Sequence, residues 1–284
     1  MTTFGERLFS AFTSAGHLCV GIDPHPYLLD RWGLADSAEG VREFGLRVVD
    51  AAGGRAGIVK PQVAFFERHG SAGFAALEKV LGAARASGLV VIADVKRGDL
   101  GTSVEAYGQA WLTPGSPLEA DAMTVSAYQG LGSLDEPWRL ALASGKGLFV
   151  LAATSNPESY ETQTAIVGRG IHAGLTVAAS IVDGVVRSNA VATPSLLGSL
   201  GVVLGATVDL ADFGIVPGTL AATPILAPGF GHQGAQLSDI RELYGAAAGN
   251  VLVSSSRGIL DAGPEGVATA IATQVRDLAE VYAA

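Results

Sequence analysis

Eight short apolar runs recur along the chain with helix-like stretches between them, and few folds accept that rhythm. The runs lie at 17–23, 57–60, 89–96, 122–126, 147–154, 201–206, 225–227 and 250–254. Helical patterns fall at 38–52, 71–87, 103–112, 131–143, 168–186, 210–215, 235–246 and 264–282. The runs do not alternate. Val90-Val91-Ile92-Ala93 and Leu148-Phe149-Val150-Leu151 are apolar on both faces, the mark of parallel strands covered by helices. Eight such units favour a single (β/α)8 TIM barrel over the alternative, an open doubly wound sheet. A leading segment, 4–14, reads as an extra N-terminal helix across the barrel bottom. No Pro/Ser-rich linker divides the chain, so 1–284 is expected to be one domain.

Composition agrees with a large core: 49% of residues are hydrophobic and 16% charged, which also excludes a disordered chain. The net charge of −9 argues against a nucleic-acid or anionic-membrane partner, though one local basic site could still take a small anion. The single cysteine, Cys19, excludes an internal disulfide framework and a multi-thiolate metal site. The first residues, with Glu6 beside Arg7, do not read as a signal peptide. The apolar run 190–203 is interrupted by Thr193, Pro194, Ser195 and Gly198 and is too short to span a bilayer. A cytoplasmic location is expected. The Ala- and Val-rich segment 170–194 carries no motif that points beyond packing.

In an α/β barrel the chemistry sits where strands run into the following loops. Here those ends are repeatedly polar: Asp23 after the first, Lys60 and Gln62 after the second, Thr154-Ser155 after the fifth, Pro228 to Gly234 after the seventh, Ser256-Arg257 after the eighth. The strongest signal is Asp94-x-Lys96-x-x-Asp99. Residues two apart on a strand share a face, so Asp94 and Lys96 point into one space. With Lys60 from the neighbouring strand, two acids and two lysines would form an alternating array. A salt-bridge cluster that merely holds the barrel top is the bland reading. Charges placed directly after a four-residue apolar run are costly for that purpose, and the functional reading is preferred.

The stretch Ala93-Asp94-Val-Lys96-Arg-Gly-Asp99-Leu-Gly-Thr-Ser103 resembles the signature of the orotidine 5′-monophosphate decarboxylases, in the longer-chain branch with Lys-Arg-Gly-Asp. The likeness extends from about 17 to 260 and includes Asp23, Lys60, Thr154-Ser155-Asn-Pro, Pro228-Gly-Phe-Gly-His-Gln233-Gly and Ser256-Arg257-Gly. It implies a cofactor-free enzyme that converts orotidylate to uridylate in pyrimidine synthesis. Lys96 is then the proton donor, with Asp94, Lys60 and Asp99 completing the catalytic array. Asp23 and Lys60 are expected at the ribose hydroxyls. Ser155 is expected at the pyrimidine edge, although Pro157 and Glu158 also suit it as a helix N-cap. Arg257, Ser256, Gln233 and Pro228 are expected around the phosphate end, where barrels often bind phosphate after strands seven and eight. The resemblance further implies a homodimer in which Asp99 and Ser103 reach the other subunit's site. Ser103 stands where the family commonly has Thr; the hydroxyl is kept.

Gly229-Phe-Gly231-His-Gln-Gly234 fits the dinucleotide pattern G-x-G-x-x-G, but about 20 residues on the chain reads Asn250-Val-Leu-Val, without the ribose-binding acid. A mobile glycine loop over a phosphate, with Phe230 capping the base, is the preferred reading. His17, His25, His69, His172 and His232 are scattered, with no metal-ligand pair, and no metal is expected. Two rivals remain. A metal-dependent sugar-phosphate lyase or aldolase would need an acid where Lys60 stands. A non-catalytic phosphate-binding barrel would have no use for the Asp–Lys set.

Overall fold

The computed structural model describes residues 2–192 and 197–283. Eight parallel strands close into a barrel in chain order: β1 Leu18–Ile22, β2 Ile58–Pro61, β3 Val90–Arg97, β4 Ala122–Val125, β5 Gly147–Ala153, β6 Leu200–Leu204, β7 Ile225–Pro228 and β8 Val251–Ser255. The closing pair aligns Leu18 with Val253 and Val20 with Ser255, so the open sheet is excluded. Almost every strand residue is buried, as expected for strands with helices outside and side chains within.

The helices are α1 Phe4–Ala15, α2 Pro26–Arg31, α3 Ala38–Ala52, α4 Ala64–Glu67, α5 Gly70–Ala86, α6 Gly101–Leu112, α7 Asp135–Ala143, α8 Ser159–Gln163, α9 Val177–Ala192, α10 Ile240–Tyr244, α11 Arg257–Leu260 and α12 Gly263–Ala283. The expected helix 168–186 begins later, at Val177. Gly170 and Gly174 take φ of 86° and 90°, Val167 pairs with Leu175 in a turn, and the Thr176 hydroxyl accepts the Ala179 amide to start α9. The expected helix 210–215 is a set of turns held by the Asp209 carboxylate on the Ala211 amide. The expected helix 235–246 breaks into a 3-10 turn, Leu237–Asp239, the short α10 and the start of a second 3-10 stretch, Gly245–Asn250. Thr193, Pro194 and Ser195, the interruption in the apolar run 190–203, lie outside the described residues. Among the described residues no helix is long and apolar enough to cross a membrane.

The leading helix closes the barrel bottom, as expected. A capping box starts it: the Thr3 hydroxyl accepts the Glu6 amide at 3.1 Å, and the Thr3 amide donates to Glu6 Oε2 at 2.7 Å. Its fully buried Phe4 and Leu8 join Cys19, Ile58, Ile92, Phe149 and Leu252 in the barrel interior. Burial of each such side chain contributes roughly 1.5–3 kcal/mol. Phe4 meets Phe149 edge-on at 5.9 Å. Gly147 makes the room, since a Cβ there would lie 2.3 Å from the Phe4 ring. Arg7 ties the helix to Asp121 at 2.5 Å, and Lys146 adds ion pairs to Asp121 and Glu119. The barrel interior is thus plugged from the bottom, and the charged strand ends lie at the opposite end.

Candidate active site

At the C-terminal ends of the strands lies a pocket of about 500 Å³. Nine of the expected residues line it: Asp23, Lys60, Asp94, Lys96, Ser155, Pro228, Gln233, Ser256 and Arg257. They come from β1, β2, β3, β5, β7 and β8 or the loops that follow, so barrel closure is what brings them together. Leu151, Val203 and Leu226 give the pocket an apolar floor.

Asp94 is its electrostatic centre. Oδ2 accepts Lys60 Nζ at 2.8 Å and Gln62 Nε2 at 2.9 Å. Oδ1 accepts Lys96 Nζ at 2.6 Å and the Thr124 hydroxyl at 2.8 Å. Burial pushes the Asp94 carboxyl upward, but Lys60 and Lys96 pull it further the other way, and it sits well below the usual carboxylate range. For Lys60, burial favours the neutral amine, and Asp94 with Asp23 outweighs it, so the ammonium is held above its ordinary value. Both partners therefore stay charged in a site where the Lys60 and Asp94 side chains are only 8% and 9% exposed. Cys19, in the layer beneath, is pushed up to about 12 by burial and remains a thiol.

Two charged side chains of the pocket are open to a ligand. Asp23 Oδ1 is buried with no hydrogen-bond partner, an acceptor waiting for a donor. Arg257 lines the pocket and its side chain makes no hydrogen bond or ion pair among the described residues, so its forked guanidinium is available to an anion. Ser256 precedes α11 and packs on β1 so closely that a Cβ at Gly21 would lie 1.8 Å from its Oγ. Glycine at 21 is what lets the end of β8 approach β1.

Asp99 and Ser103, expected at the other subunit's site, do not line the pocket of their own chain. Asp99 Oδ1 accepts the Leu100 amide at 2.9 Å, and Ser103 is exposed in the first turn of α6. The array within one chain is therefore Lys60–Asp94–Lys96, one acid between two lysines. Lys96, one residue before the end of β3, takes φ of 48°, and the chain then passes Gly98, where a Cβ would lie 2.5 Å from Ser126 O. Ser155 is not a helix cap, because α8 begins at Ser159 with Glu158 at its N-cap. Its loop is set instead by Gln163, which accepts the Thr154 amide and donates to the Thr154 hydroxyl, both at 2.9 Å. Phe230 is 4% exposed and packs in the main core as well as on the pocket wall. Its glycine loop folds back on itself, with Gly231 N donating to Ala235 O at 2.8 Å.

Gln62, Thr124, His25 and His232 also line the pocket, and the sequence reading assigned them nothing there. Gln62 was within reach of the alternation rule, being two residues beyond Lys60. Thr124 is the one polar residue of β4. His25 follows Asp23 by two and lies tilted against the Phe65 ring at 4.3 Å; burial holds its pKa down, against the pull of Asp23. Among the described residues no three His, Cys, Asp or Glu side chains gather as a metal site.

The comparisons agree with this geometry. A family model described as "Orotidine 5′-phosphate decarboxylase / HUMPS family" matches residues 16–271. An orotidine 5′-phosphate decarboxylase of a Nocardioides species is 50% identical over 260 residues, which cover 92% of each chain. That of Salinispora arenicola is 48% identical over 286 residues, covering 100% of this chain and 99% of its own. A Streptomyces avermitilis crystal structure, 45% identical, superposes with a TM-score of 0.93 over 100% of this chain and 97% of the other. The Leishmania donovani OMP decarboxylase, 27% identical, gives 0.77 over 100% of both. With the closed barrel and the Asp94–Lys96 array at its open end, these likenesses show that the chain belongs to the orotidine 5′-phosphate decarboxylase / HUMPS family.

Proposed function

We propose that the chain decarboxylates orotidine 5′-monophosphate to uridine 5′-monophosphate in pyrimidine biosynthesis. It acts as a single-domain cytoplasmic enzyme, as a homodimer, with no metal or organic cofactor. The observation that carries this reading is Lys60 at the end of β2, 2.8 Å from Asp94. A metal-dependent sugar-phosphate lyase needs an acidic ligand at that position, and an ammonium there repels a divalent cation. A mere phosphate-binding barrel gains nothing from a charge array that is costly to bury.

The roles follow from placement. Arg257, with Gln233, Pro228 and Ser256 beside it, takes the phosphate. Asp23 and Lys60 take the ribose hydroxyls, and the unpartnered Asp23 Oδ1 suits that acceptor role. Ser155 meets the polar edge of the pyrimidine. Asp94 then lies beside the substrate carboxylate. The ring C–carboxylate bond breaks, CO2 leaves, and the electron pair stays on the ring carbon. Lys96 delivers its ammonium proton to that carbon. An array already fixed by four hydrogen bonds on Asp94 needs little rearrangement as this charge develops. Asp99 and Ser103, outside the pocket of their own chain, are assigned to the partner's site.

Incubating the protein with orotidylate under exhaustive chelation, while following pyrimidine absorbance, tests the proposal. Steady turnover is expected. No turnover, or turnover only on adding Mg2+, would overturn it.

A further inference from the structure

We infer that Thr124 is a positioning residue for Lys96, holding both its backbone and the partner of its ammonium; the inference rests on the decarboxylase reading above. The starting point is the ladder between β3 and β4. Ile92 pairs with Ala122 and Ala93 with Met123, but the next pair is Arg97 with Val125. Four steps along β3 are thus matched by two along β4, and the surplus contains Asp94 and Lys96. Such a bulge re-aims side chains at the cost of ladder hydrogen bonds. Lys96 takes φ 48°, the one positive value among the described non-glycine residues. A side chain rarely adopts that conformation unless its surroundings over-determine it.

Thr124 supplies that constraint. Opposite the bulge, its hydroxyl oxygen accepts the Lys96 amide at 2.9 Å, in place of a β4 carbonyl. The same hydroxyl donates to Asp94 Oδ1 at 2.8 Å, the oxygen that also accepts Lys96 Nζ at 2.6 Å. The single hydroxyl proton is therefore committed to Asp94 and a lone pair to Lys96. Backbone, side chain and counter-ion of one lysine are tied through one atom. Thr124 is 1% exposed, so water has little access to replace it. Gln62 gives the matching neutral contact on Oδ2, but it holds nothing of Lys96. An apolar residue of threonine's shape would leave the Lys96 amide without its acceptor and Asp94 Oδ1 one donor short.

The test compares Thr124→Val, which keeps the shape, with Thr124→Ser, which keeps the hydroxyl. For Val, kcat on orotidylate falls about 10- to 100-fold, the value of a hydrogen bond to a charged group, while KM and uridylate affinity stay within about threefold. Ser restores kcat to within about threefold of the parent by the same reasoning. Exchange of the Lys96 amide, read by NMR, quickens at least about tenfold in Val and not in Ser. Full activity in Val, equal losses in Ser and Val, or an unchanged Lys96 amide in Val would each overturn the inference. So would a parallel loss of kcat, affinity and melting temperature, which marks a merely structural threonine. If the Val protein does not fold, Thr124→Cys, with a weaker donor and acceptor, must fall between Ser and full loss; parental activity would overturn the inference. Amide exchange needs no turnover, so an inactive parent would sink the decarboxylase reading while the role of Thr124 is still decided.

Discussion

Replacing Lys60 by methionine removes one ammonium while keeping most of the side-chain volume. It leaves Asp94, 9% exposed, with half of its cationic support. Losing one partner of a buried ion pair costs about 3–5 kcal/mol. Lys96, Gln62 and Thr124 still bond the carboxylate, which favours the lower end, about 3 kcal/mol. In a chain of 284 residues that corresponds to a fall in Tm of roughly 6–9 °C at pH 7, at about 2–3 °C per kcal/mol. The pH dependence gives the sharper test. Burial raises the Asp94 pKa, and the two lysines more than reverse that, so its folded value is depressed. A depressed acid stabilises the fold above its unfolded value, about 3.9, and that contribution is lost only as pH falls through the folded value. Without Lys60 the folded value moves up, a charged Asp94 becomes a burden at neutral pH, and mild acid relieves it by protonation. Thermal melts followed by circular dichroism should therefore show the largest gap between parent and variant near pH 7, narrowing toward about pH 4.5. A gap that stays constant or widens on acidification would refute the claim that Lys60 compensates the Asp94 charge.

Three further outcomes are expected. Lys96→Ala should abolish nearly all turnover while uridylate binding survives; equal losses in binding and rate would indicate a structural lysine. Mixing inactive Asp99→Ala with inactive Lys96→Ala should regenerate activity, since a mixed dimer holds one site free of both lesions; none after confirmed subunit exchange would count against a shared site. Arg257→Ala should lower kcat/KM for orotidylate about 10- to 100-fold yet barely alter the slow reaction of the nucleoside lacking phosphate, because the phosphate acts at a distance from the breaking bond. Equal damage to both substrates would make Arg257 a support of the barrel.

The barrel was legible because parallel strands buried on both faces read as unbroken apolar runs, and all eight observed strands lie within about two residues of their expected bounds. Helices were legible where an amphipathic stripe faces the core, as in α3, whose expected and observed bounds agree. They were not legible where local chemistry competes with periodicity: the glycines at 170 and 174 delay α9, and the Asp209 side chain turns 210–215 away from a helix. The short α2 carried a readable signal, Pro26 at its first position, but six residues give no periodic pattern.

The site divides along the same line. Polar residues at the ends of apolar runs marked the rim of the pocket, and nine of eleven reach it. A period of two aims Asp94 and Lys96 at one space but cannot reveal that β3 carries a bulge between them, because register belongs to a pair of strands and not to either alone. The need for glycine at 21 is hidden in the same way, since the atom it makes room for is Ser256 Oγ, just past the strand that closes the barrel. Thr124 is the plainest case. Threonine is an ordinary strand former, and nothing in Ala-Met-Thr-Val sets it apart from a β-branched filler. Its meaning comes from what the fold puts within 3 Å: a strained amide and a buried carboxylate, each needing one more partner. Apolar periodicity records which face of an element is buried. It cannot record which buried polar atoms satisfy one another, and the chemistry of this pocket depends on that second kind of information.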